Sequence, residues 1–250
     1  MKKVVILQSN YIPWKGYFDL IWIADEFIIL DDVQYTKNDW RNRNQIKTVQ
    51  GKKWLTIPVT YKFSERPLIS SITVCSPNWV EEHLAQLKLA YQGAPYYSEF
   101  LPHLESWYGK IKTFDKLSEI NLYLLQAIAD YLEIGAKLTK SSLYITTQEL
   151  QSLDKNHRLA EICARAKATD YITGPSALSY LDESVFKSQG INVHVADYGS
   201  YGPYPQQHGE FDHYVTILDL IFNLGKNAQT HLRKIKLVSP VTAEPSKELT

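Results

Sequence analysis

Apolar runs and amphipathic segments alternate at the start of the chain. Residues 4–7 form a short continuous apolar run bounded by polar residues, which is typical of a buried parallel strand. A loop over residues 8–16 and an amphipathic helix over 17–24 follow, before a second apolar run at 27–30. The order strand, loop, helix, strand predicts a βαβ unit, and such units bind ligands at the carboxyl ends of their strands. We therefore expect the polar segments 8–16 and 31–45 to share one rim of the sheet.

The middle of the chain has a different pattern. Residues 54–59 and 69–74 are rich in β-forming side chains and predict an antiparallel pair inserted after the second strand. Helical patterns predominate from Asn78 to Gly135. The predicted helices cover residues 79–91, 98–110 and 115–133.

Strand and helix patterns alternate again after Gly135. Strands are predicted at 143–146, 171–173 and 191–195, helices at 153–167, 182–188 and 215–224, and a long ordered loop at 197–213. The whole predicts an α/β fold class: a mostly parallel, Rossmann-like sheet with an inserted β-hairpin and a helical segment. We expect a single α/β domain over residues 1–237, a helical insert near 78–135 and a flexible tail at 238–250.

Charge and cysteine content exclude several classes of protein. The 250-residue chain carries 27 basic and 27 acidic side chains, so its net charge gives no general reason to bind nucleic acid or an anionic membrane. Its two cysteines, Cys75 and Cys163, are far apart and lack zinc-site spacing, which indicates a reducing compartment. The apolar run after Met1 is too short for a signal peptide or a membrane span. We therefore expect a soluble cytoplasmic protein.

Tyrosine and tryptophan are abundant, with 17 and 6 copies respectively. These side chains combine an apolar ring with a polar tip and suit a wet groove for a polar, ring-shaped ligand. The alternative is an aromatic core, which is the better interpretation for most of them.

The first cluster of candidate site residues is the loop at 8–16. The predicted unit places Gln8, Asn10 and Tyr11 at the tip of the first strand, close to a helix N-terminus that could bind an anion. A phosphate-binding P-loop is excluded, because the segment has a single glycine and lacks the Gly-Lys-Ser/Thr ending. The alternative is a structural turn in which aromatic side chains pack. We favour a site, because Gln, Asn and Lys15 have little packing purpose in so short a loop.

Charged residues dominate the second polar segment, 31–44. Asp31 and Asp32 follow the predicted second strand and could bind magnesium, act as a general base or hold neighbouring arginines. In an extended chain they point to opposite sides, so at most one of them is expected to face the site. Arg41 and Arg43 would share one side and could clamp a phosphate or a carboxylate. A salt-bridged, solvated loop is the alternative.

Weaker signals lie further along the chain. The segment 137–142 is similar to the lysine–serine loops of enzymes that activate acids with ATP. Gly174 and Ser176 follow a predicted strand, where a glycine admits the close approach of a ligand. His157 and Arg158, at the start of a predicted helix, are interpreted as capping or surface groups. A Ser-His-Asp triad is not indicated, because the chain has no G-x-S-x-G turn.

These blocks together resemble the WbqC family. The similar stretches are 8–21, 31–44, Gly51 with 54–58, 141–142, 173–181, 186–191 and 204–225, which includes the apolar run 217–223. They follow one another in the family's order along almost the whole chain. Ser9 departs from the pattern, because proline is common there in the family, and this departure puts none of the proposed roles in doubt.

The resemblance implies a context in surface-polysaccharide (O-antigen) biosynthesis. It suggests an enzyme that modifies a nucleotide-linked amino sugar by attaching glycine or another acyl group to the sugar amine. On this hypothesis the chain is an acyl or aminoacyl transferase that forms an amide.

Roles can be assigned to the candidate residues on this hypothesis. Asp31 or Asp32 would accept the amine proton, while Asn10 and Gln8 would bind the acyl oxygen. The residues expected to stack on a ring of the ligand are Tyr11 and Trp40. The expected catalytic residues are Asp31, Asp32 and Asn10, and the expected substrate-binding residues are Gln8, Tyr11, Trp14, Lys15, Lys37, Trp40, Arg41, Arg43, Asn44, Ser142, Gly174, Ser176, Tyr204 and Gln206. No metal ligand set is expected, and the cofactor is left open.

Two alternatives stay open. An ATP-dependent amide ligase would bind the adenylate phosphate at the first loop, neutralise charge with Lys140 and release phosphate or pyrophosphate. The lack of an H-x-G-H sequence in that loop counts against it. A non-catalytic accessory protein would bind a sugar or a carrier in an aromatic groove without turnover. The acyl donor could be free, or carried by coenzyme A, tRNA or an acyl-carrier protein.

Overall fold

The chain forms a central six-stranded sheet with helices packed on both faces. The computed structural model describes residues 1–76 and 78–241. The strands are β1 (Lys3–Leu7), β2 (Glu26–Ile29), β3 (Arg43–Thr48), β4 (Gly51–Thr56), β5 (Val59–Thr60), β6 (Thr73–Val74), β7 (Lys137–Lys140), β8 (Asp170–Thr173), β9 (Asn192–Asp197) and β10 (Lys236–Val238). The α-helices are α1 (Lys15–Ile23), α2 (Trp79–Tyr91), α3 (Tyr97–Ile111), α4 (Leu117–Tyr131), α5 (Thr147–Ser152), α6 (Lys155–Arg165), α7 (Glu183–Lys187) and α8 (Ile217–Leu224). Short 3₁₀ helices cover Phe63–Glu65, Ile69–Ser71, Ser141–Leu143, Pro175–Ser179 and Gly225–His231.

Parallel pairing builds the centre of the sheet. The strand order is β10-β9-β8-β1-β2-β7, with parallel neighbours throughout except for the antiparallel pair β9 and β10. Val4, Val5 and Ile6 of β1 are all buried, because helices cover both faces, and this explains the continuous apolar run. β1 pairs with β2 on one side and with β8 on the other. The chain therefore reverses its direction of travel at β1, and the carboxyl ends of β1 and β8 flank a topological switch point, where open α/β sheets bind ligands.

Alternate residues of the central strands face two separate cores. Val5, Phe27 and Ile29 pack in the larger core with residues of α1, α2, α3, α4 and α8. Val4 and Ile28 point the other way and pack with residues of α6 and α7. The mixed α/β architecture and the mostly parallel sheet predicted from the sequence are confirmed. Among residues 1–76 and 78–241, no helix is both long enough and apolar enough to cross a lipid bilayer.

The principal β-hairpin differs from the predicted one. β3 pairs with β4 through a tight turn that ends at Gly51, whose φ of 100° favours glycine. The pairing predicted between 54–59 and 69–74 is reduced to the two-residue strands β5 and β6. β3 escapes sequence prediction because its buried positions include the polar Asn44 and Lys47, which hide the alternation of apolar residues.

A second correction concerns residues 143–146, which the sequence predicts as a strand. The strand in this region is β7, which ends earlier and pairs with β2. A 3₁₀ helix over Ser141–Leu143 follows it. The Thr146 side chain accepts a hydrogen bond from Glu149 N and caps α5, so this β-branched residue begins a helix.

The last part of the described chain contains a strand that the sequence does not predict. β10 pairs with β9 and covers that edge of the sheet. The flexible tail predicted at 238–250 lies mostly outside the described residues, which end at 241. All of residues 198–216 are described and form neither helix nor strand, in agreement with the predicted loop at 197–213.

Candidate functional site

A cleft opens at the carboxyl ends of β1, β2 and β8. One part of it, the strand-end compartment, has a volume of about 530 Å³, within the usual range for small-molecule sites. Its lining includes the apolar side chains of Leu30, Val33 and Leu159. Lys155 and Arg158, at the start of α6, also line it. The strand-end compartment thus combines apolar surface and two positive charges at the switch point of the sheet.

The second part of the cleft, the hairpin compartment, lies beside β3 and β4 and has a volume of about 330 Å³. Its lining includes Asn10, Trp40, Arg41, Gln45, Lys52 and Tyr214. The residues that border both compartments are Leu7, Gln8, Trp14, Tyr17 and Ser176, and we call them the shared wall. The two compartments therefore lie side by side and meet at the shared wall.

Buried polar side chains fix the shape of residues 8–14, which we call the first loop. Asp31 Oδ1 accepts a hydrogen bond from Ser9 N at 2.9 Å. Asn44 Nδ2 donates to the carbonyl oxygen of Ile12, and to that of the preceding residue, at 3.0 Å each. Ile12 has a φ of 36°, a left-handed conformation that is strained for a β-branched residue. Such strain persists only where surrounding contacts impose it, so the first loop has one enforced shape.

Arg41 connects the first loop to the hairpin compartment. Its Nη1 donates to the Ser9 carbonyl oxygen at 3.3 Å and also to Asn10 Oδ1, and its Nε lies 3.6 Å from Asp39 Oδ2. Asn121 Nδ2 of α4 donates to the Arg41 carbonyl oxygen at 2.8 Å. These contacts hold the guanidinium group against the cleft. Because the Asn10 oxygen accepts from Arg41, the amide nitrogen of Asn10 is the group left to donate into the cleft.

Gln8 offers a second amide group. Its backbone carbonyl oxygen accepts from Tyr17 Oη at 2.9 Å, while its side chain has no hydrogen-bond partner in residues 1–76 and 78–241. Gln8, Asn10 and Arg41 all line the hairpin compartment and therefore offer N–H donors to it. Donors fixed in advance around one position stabilise negative charge that develops on an oxygen there.

An aromatic wall stands beside the first loop. The Trp14 ring packs against Tyr198, Tyr201 and Tyr214, with ring centroids 5.1, 5.9 and 5.9 Å away. Gly16 makes room for this packing, because a Cβ at that position would lie 2.2 Å from the Trp14 ring. The long loop after β9 thus supplies rings to the same wall as the first loop.

The paired carboxylates after β2 are hydrogen-bonded to neighbouring segments. The residues that border the cleft in the described chain include neither Asp31 nor Asp32. Asp31 is only 6% exposed, and burial raises the pKa of its carboxyl group. Asp32 accepts hydrogen bonds from Ser70 Oγ and Ser141 Oγ at 3.1 Å each. Both carboxylates therefore hold neighbouring segments together. The described residues contain no group of three or more His, Cys, Asp or Glu side chains that could hold a metal ion.

Lys15, Tyr204 and Gln206, expected as ligand-binding residues, belong to buried polar networks. Asp219 is completely buried and accepts hydrogen bonds from Tyr204 Oη at 2.7 Å and from Gln206 Nε2 at 2.8 Å. Lys15 is 3% exposed, its Nζ lies 2.7 Å from His213 Nδ1, and burial lowers its pKa to about 8. The lining of the cleft in the described chain does not include these residues. Their hydrogen bonds stabilise the loop after β9.

The remaining expected residues divide into two groups. Those that border the cleft are Gln8, Asn10, Trp14, Trp40, Arg41, Asn44, Gly174 and Ser176. Tyr11 is fully buried, so its ring cannot stack on a ligand as expected. Arg43 lies over the Trp54 ring, 4.2 Å from its centroid. Lys37 and Ser142 are exposed and are not among the residues that line the cleft in the described chain.

Several cleft residues escape the sequence analysis. They are Gln45, Lys52, Lys155, Arg158, Tyr198 and Tyr214. The density of tyrosines in the loop after β9 is a usable signal for Tyr198 and Tyr214. Lys155 and Arg158 carry no such signal, since they follow an ordinary N-cap, Asp154, at the start of a helix.

Similar proteins identify the family of this chain. Residues 8–231 match the model of the WbqC-like protein family. The chain is also 46% identical over 233 residues to a Mycobacterium tuberculosis protein named Uncharacterized protein Rv1507c, with 93% of this chain and 98% of that relative covered. No solved structure matches the chain. The family match begins at the first loop and extends past the loop after β9, and the chain therefore belongs to the WbqC-like protein family.

Proposed function

We propose that the protein is a transferase that forms an amide on an amino sugar by acyl or aminoacyl transfer. The observation that carries the proposal is the meeting of two compartments at one shared wall, beside the N–H donors of Gln8, Asn10 and Arg41. A transferase must hold two substrates with their reacting atoms in contact, and two compartments that meet at one wall suit this need. On this proposal the reaction serves surface-polysaccharide biosynthesis in the cytoplasm.

The hairpin compartment suits the amino sugar. Trp40 and Tyr214 offer rings that pack on the apolar face of a sugar. Gln45 and Lys52 offer polar groups for its hydroxyls, and an ion pair with Asp212 at 2.9 Å restrains Lys52. A volume of about 330 Å³ fits a ligand of this size.

The N–H donors suit the acyl oxygen. The sugar nitrogen attacks the acyl carbon, a C–N bond forms, and negative charge develops on the acyl oxygen. The bond between the acyl carbon and its leaving group then breaks, and the amine proton passes to that leaving group. Gln8 and Asn10 donate to the charged oxygen, while Arg41 adds a positive charge close by. These interactions are stronger in the transition state than in the substrates, which is the condition for a higher rate.

The positions of the carboxylates limit the choice of acyl donor. Asp31 and Asp32 are engaged in structural hydrogen bonds, and the described lining of the cleft supplies no carboxylate base. A donor with a good leaving group reacts with a free amine without such a base. We therefore expect a thioester or ester donor, carried by coenzyme A, an acyl-carrier protein or tRNA. The expected acceptor is a nucleotide-linked amino sugar.

Product analysis tests this function. The protein is incubated with nucleotide-linked amino sugars and acyl-coenzyme A or aminoacyl-tRNA, and the N-acylated sugar is measured by mass spectrometry. Gln8→Ala and Asn10→Ala are each expected to lower kcat by about 100-fold, as the loss of one oxyanion donor does in other enzymes. Gln148→Ala, an exposed change in α5, is the matched control and should leave kcat unchanged.

Two results would contradict the proposal: no amide product with any of these donors, or full activity in both the Gln8 and the Asn10 variant. Asp32→Asn separates this mechanism from one with a carboxylate base. Because Asp32 is engaged by Ser70 and Ser141, we expect this variant to keep most of its activity. A drop of several orders of magnitude would assign the base role to Asp32 after all.

An ATP-dependent amide ligase is the second candidate. The position of the strand-end compartment at the switch point, with Lys155 and Arg158 in its lining, favours it. Lys140, expected to neutralise charge in such an enzyme, is exposed and lies outside the lining of the described cleft, which counts against it. Amide formation that requires ATP and releases phosphate or pyrophosphate would identify the ligase. Binding of the sugar without any turnover would identify an accessory protein.

A further inference from the structure

We propose that the strand-end compartment binds the phosphate chain of a nucleotide, with Lys155 and Arg158 as its cationic ligands. The proposal rests on the proposed function for one premise, that the cleft is the substrate site. It gives a phosphate-binding role to side chains that the acyl-transfer chemistry does not use.

Lys155 and Arg158 are placed to act together. They are one helical turn apart on α6 and both line the strand-end compartment. Arg158 Nε and Nη2 donate to the carbonyl oxygens of Asp154 and Leu153 at 3.3 and 2.7 Å. These bonds fix the plane of the guanidinium group and leave Nη1 for a ligand. Lys155 Nζ lies 4.7 Å from the centroid of the Tyr180 ring, which restrains it on the same side.

Nearby carboxylates do not neutralise these charges. In the described chain, neither Lys155 nor Arg158 has a carboxylate oxygen within 4.0 Å. Asp154, the adjacent acidic residue, accepts a hydrogen bond from Asn156 N at 2.9 Å and pairs with His157 Nδ1 at 2.5 Å. Its charge is therefore engaged at the helix cap. Two uncompensated positive charges beside a cleft attract an anion.

Groups that follow β8 complete the subsite. A Cβ at Gly174 would meet nothing closer than the Tyr198 hydroxyl group, at 3.7 Å, so the side of the backbone that a side chain would cover is open to a ligand. Ser176 is exposed and belongs to the shared wall. Its hydroxyl group therefore borders both compartments, and it can donate to a phosphate oxygen.

The apolar lining defines the rest of the ligand. Leu30, Val33 and Leu159 offer apolar surface in a compartment of about 530 Å³, which a phosphate group alone would leave largely unfilled. A ligand that joins a flat ring to a chain of phosphates matches both the apolar lining and the cations. Two sources have this chemistry: the nucleoside diphosphate of a nucleotide-linked sugar, and the triphosphate of ATP.

Calorimetry with nucleotides in the absence of any acyl donor tests the proposal. UDP, dTDP, ATP and the nucleoside uridine are titrated into the full-length protein at fixed ionic strength. Lys155→Ala and Arg158→Gln are each expected to weaken binding of the preferred nucleotide by about tenfold or more, since each removes a charged hydrogen-bond donor. Lys187→Ala, an exposed change at the end of α7, is the matched control and should leave the affinity unchanged. Thermal unfolding of each variant checks that it is folded.

Three results would overturn the proposal. They are no nucleotide binding by the wild-type protein, equal affinities for UDP and uridine, and an unchanged nucleotide affinity in the Lys155→Ala/Arg158→Gln double variant. Tighter binding of UDP or dTDP than of ATP assigns the phosphate chain to the sugar acceptor, and the reverse assigns it to an ATP co-substrate; both results support the subsite.

The two proposals fail separately. Nucleotide binding that depends on Lys155 and Arg158, without amide formation, supports the phosphate subsite and contradicts the transferase. Amide formation without such binding contradicts the phosphate subsite alone. The calorimetry contains no acyl donor, so its result does not depend on turnover.

Discussion

Asp31 and Asp219 are both buried carboxylates, and each holds a loop at the cleft by a different kind of hydrogen bond. Asp31 accepts from a backbone N–H, that of Ser9 in the first loop. Asp219 accepts from the side chains of Tyr204 and Gln206 in the loop after β9. Both arrangements fix a loop, but they leave different groups of that loop available.

The difference determines which polar side chains can meet a ligand. A loop held through its backbone can leave side-chain groups available: the Gln8 side chain and the amide nitrogen of Asn10 are not used to hold the first loop, and both residues line the cleft. A loop held through its side chains uses them for its own stability, and Tyr204 and Gln206 are engaged in this way. Polar residues of similar type therefore face the cleft in one region and stabilise the loop in the other.

Removal of the Asp219 carboxylate should lower the free energy of unfolding more than removal of the Asp31 carboxylate. Asp219→Ala leaves the Tyr204 hydroxyl group and the Gln206 amide without their acceptor, and we expect it to lower the free energy of unfolding by about 3 kcal/mol. Asp31→Ala leaves one backbone donor unpaired and is expected to cost about 1.5 kcal/mol. Urea unfolding measures both. Asp115→Ala, at an exposed position, serves as the control and should stay within about 0.5 kcal/mol of the wild type. A larger loss of unfolding free energy for Asp31→Ala than for Asp219→Ala would contradict this expectation.

Asn44→Ala tests whether the first loop depends on its backbone contacts. The change removes the donors to the carbonyl oxygen of Ile12 and to that of its neighbour, and it frees a strained residue. We expect a loss of about 2 kcal/mol in the free energy of unfolding, because two buried acceptors lose their partners. Asn44→Asp keeps one side-chain oxygen but replaces the donor with a carboxylate oxygen that faces the two carbonyl oxygens, so it should lose at least as much. Wild-type stability in both variants would show that other contacts hold the loop.

Gly16→Ala tests how closely the two loops meet at the aromatic wall. The added Cβ would lie 2.2 Å from the Trp14 ring, so the ring must move away from its tyrosine neighbours. We expect a loss of about 1.5 kcal/mol from this overpacking, together with weaker ligand binding in both compartments. Gly109→Ala in α3 is the control, because a Cβ there meets nothing within 4 Å. It should stabilise the helix by up to about 1 kcal/mol. Equal changes in stability for Gly16→Ala and Gly109→Ala would contradict the close packing of the Trp14 ring against residue 16.

A pH dependence is expected at Lys15, which begins α1 directly after the first loop and contacts the loop after β9. Burial lowers its pKa from 10.5 to about 8. Between these values the unfolded chain binds more protons than the folded protein, so the contribution of Lys15 to stability rises with pH. The free energy of unfolding of the wild type, relative to Lys15→Met, should therefore increase between about pH 8 and pH 10.5. A flat or falling difference would mean that the lysine is not desolvated.

Much of the fold follows from apolar patterning. The runs at 4–7 and 27–30 correspond to β1 and β2, and the helical patterns correspond closely to α2, α3 and α4. Patterning fails at β3, because Asn44 and Lys47 are polar and yet buried. It fails at residues 143–146 because β-branched side chains also cap helices, as Thr146 does. These errors occur where hydrogen bonds replace apolar contacts as the reason for burial.

The outline of the candidate site can also be predicted from the sequence. The sequence places polar residues after β1 and β8, and the fold brings those segments together at the switch point. It does not show on which side of the backbone each residue lies, so Asp31 looks as available as Asn10 although it is buried. Nor does it show that the start of α6 faces the end of β8. Lys155 therefore looks like an ordinary surface residue until the sheet is assembled.

The central position of β1 has a consequence for biosynthesis. β1 leaves the ribosome long before its neighbour β8, which begins only at residue 170, and the contact between Lys2 and Thr169 joins positions 167 apart. A nascent chain can pair β1 with β2 early, but one edge of this apolar strand stays unpaired until β8 has been made. Exposed strand edges of this kind promote aggregation and attract chaperones. The cleft needs β8 as well, so a chain that ended before β8 would lack both the six-stranded sheet and the strand-end compartment.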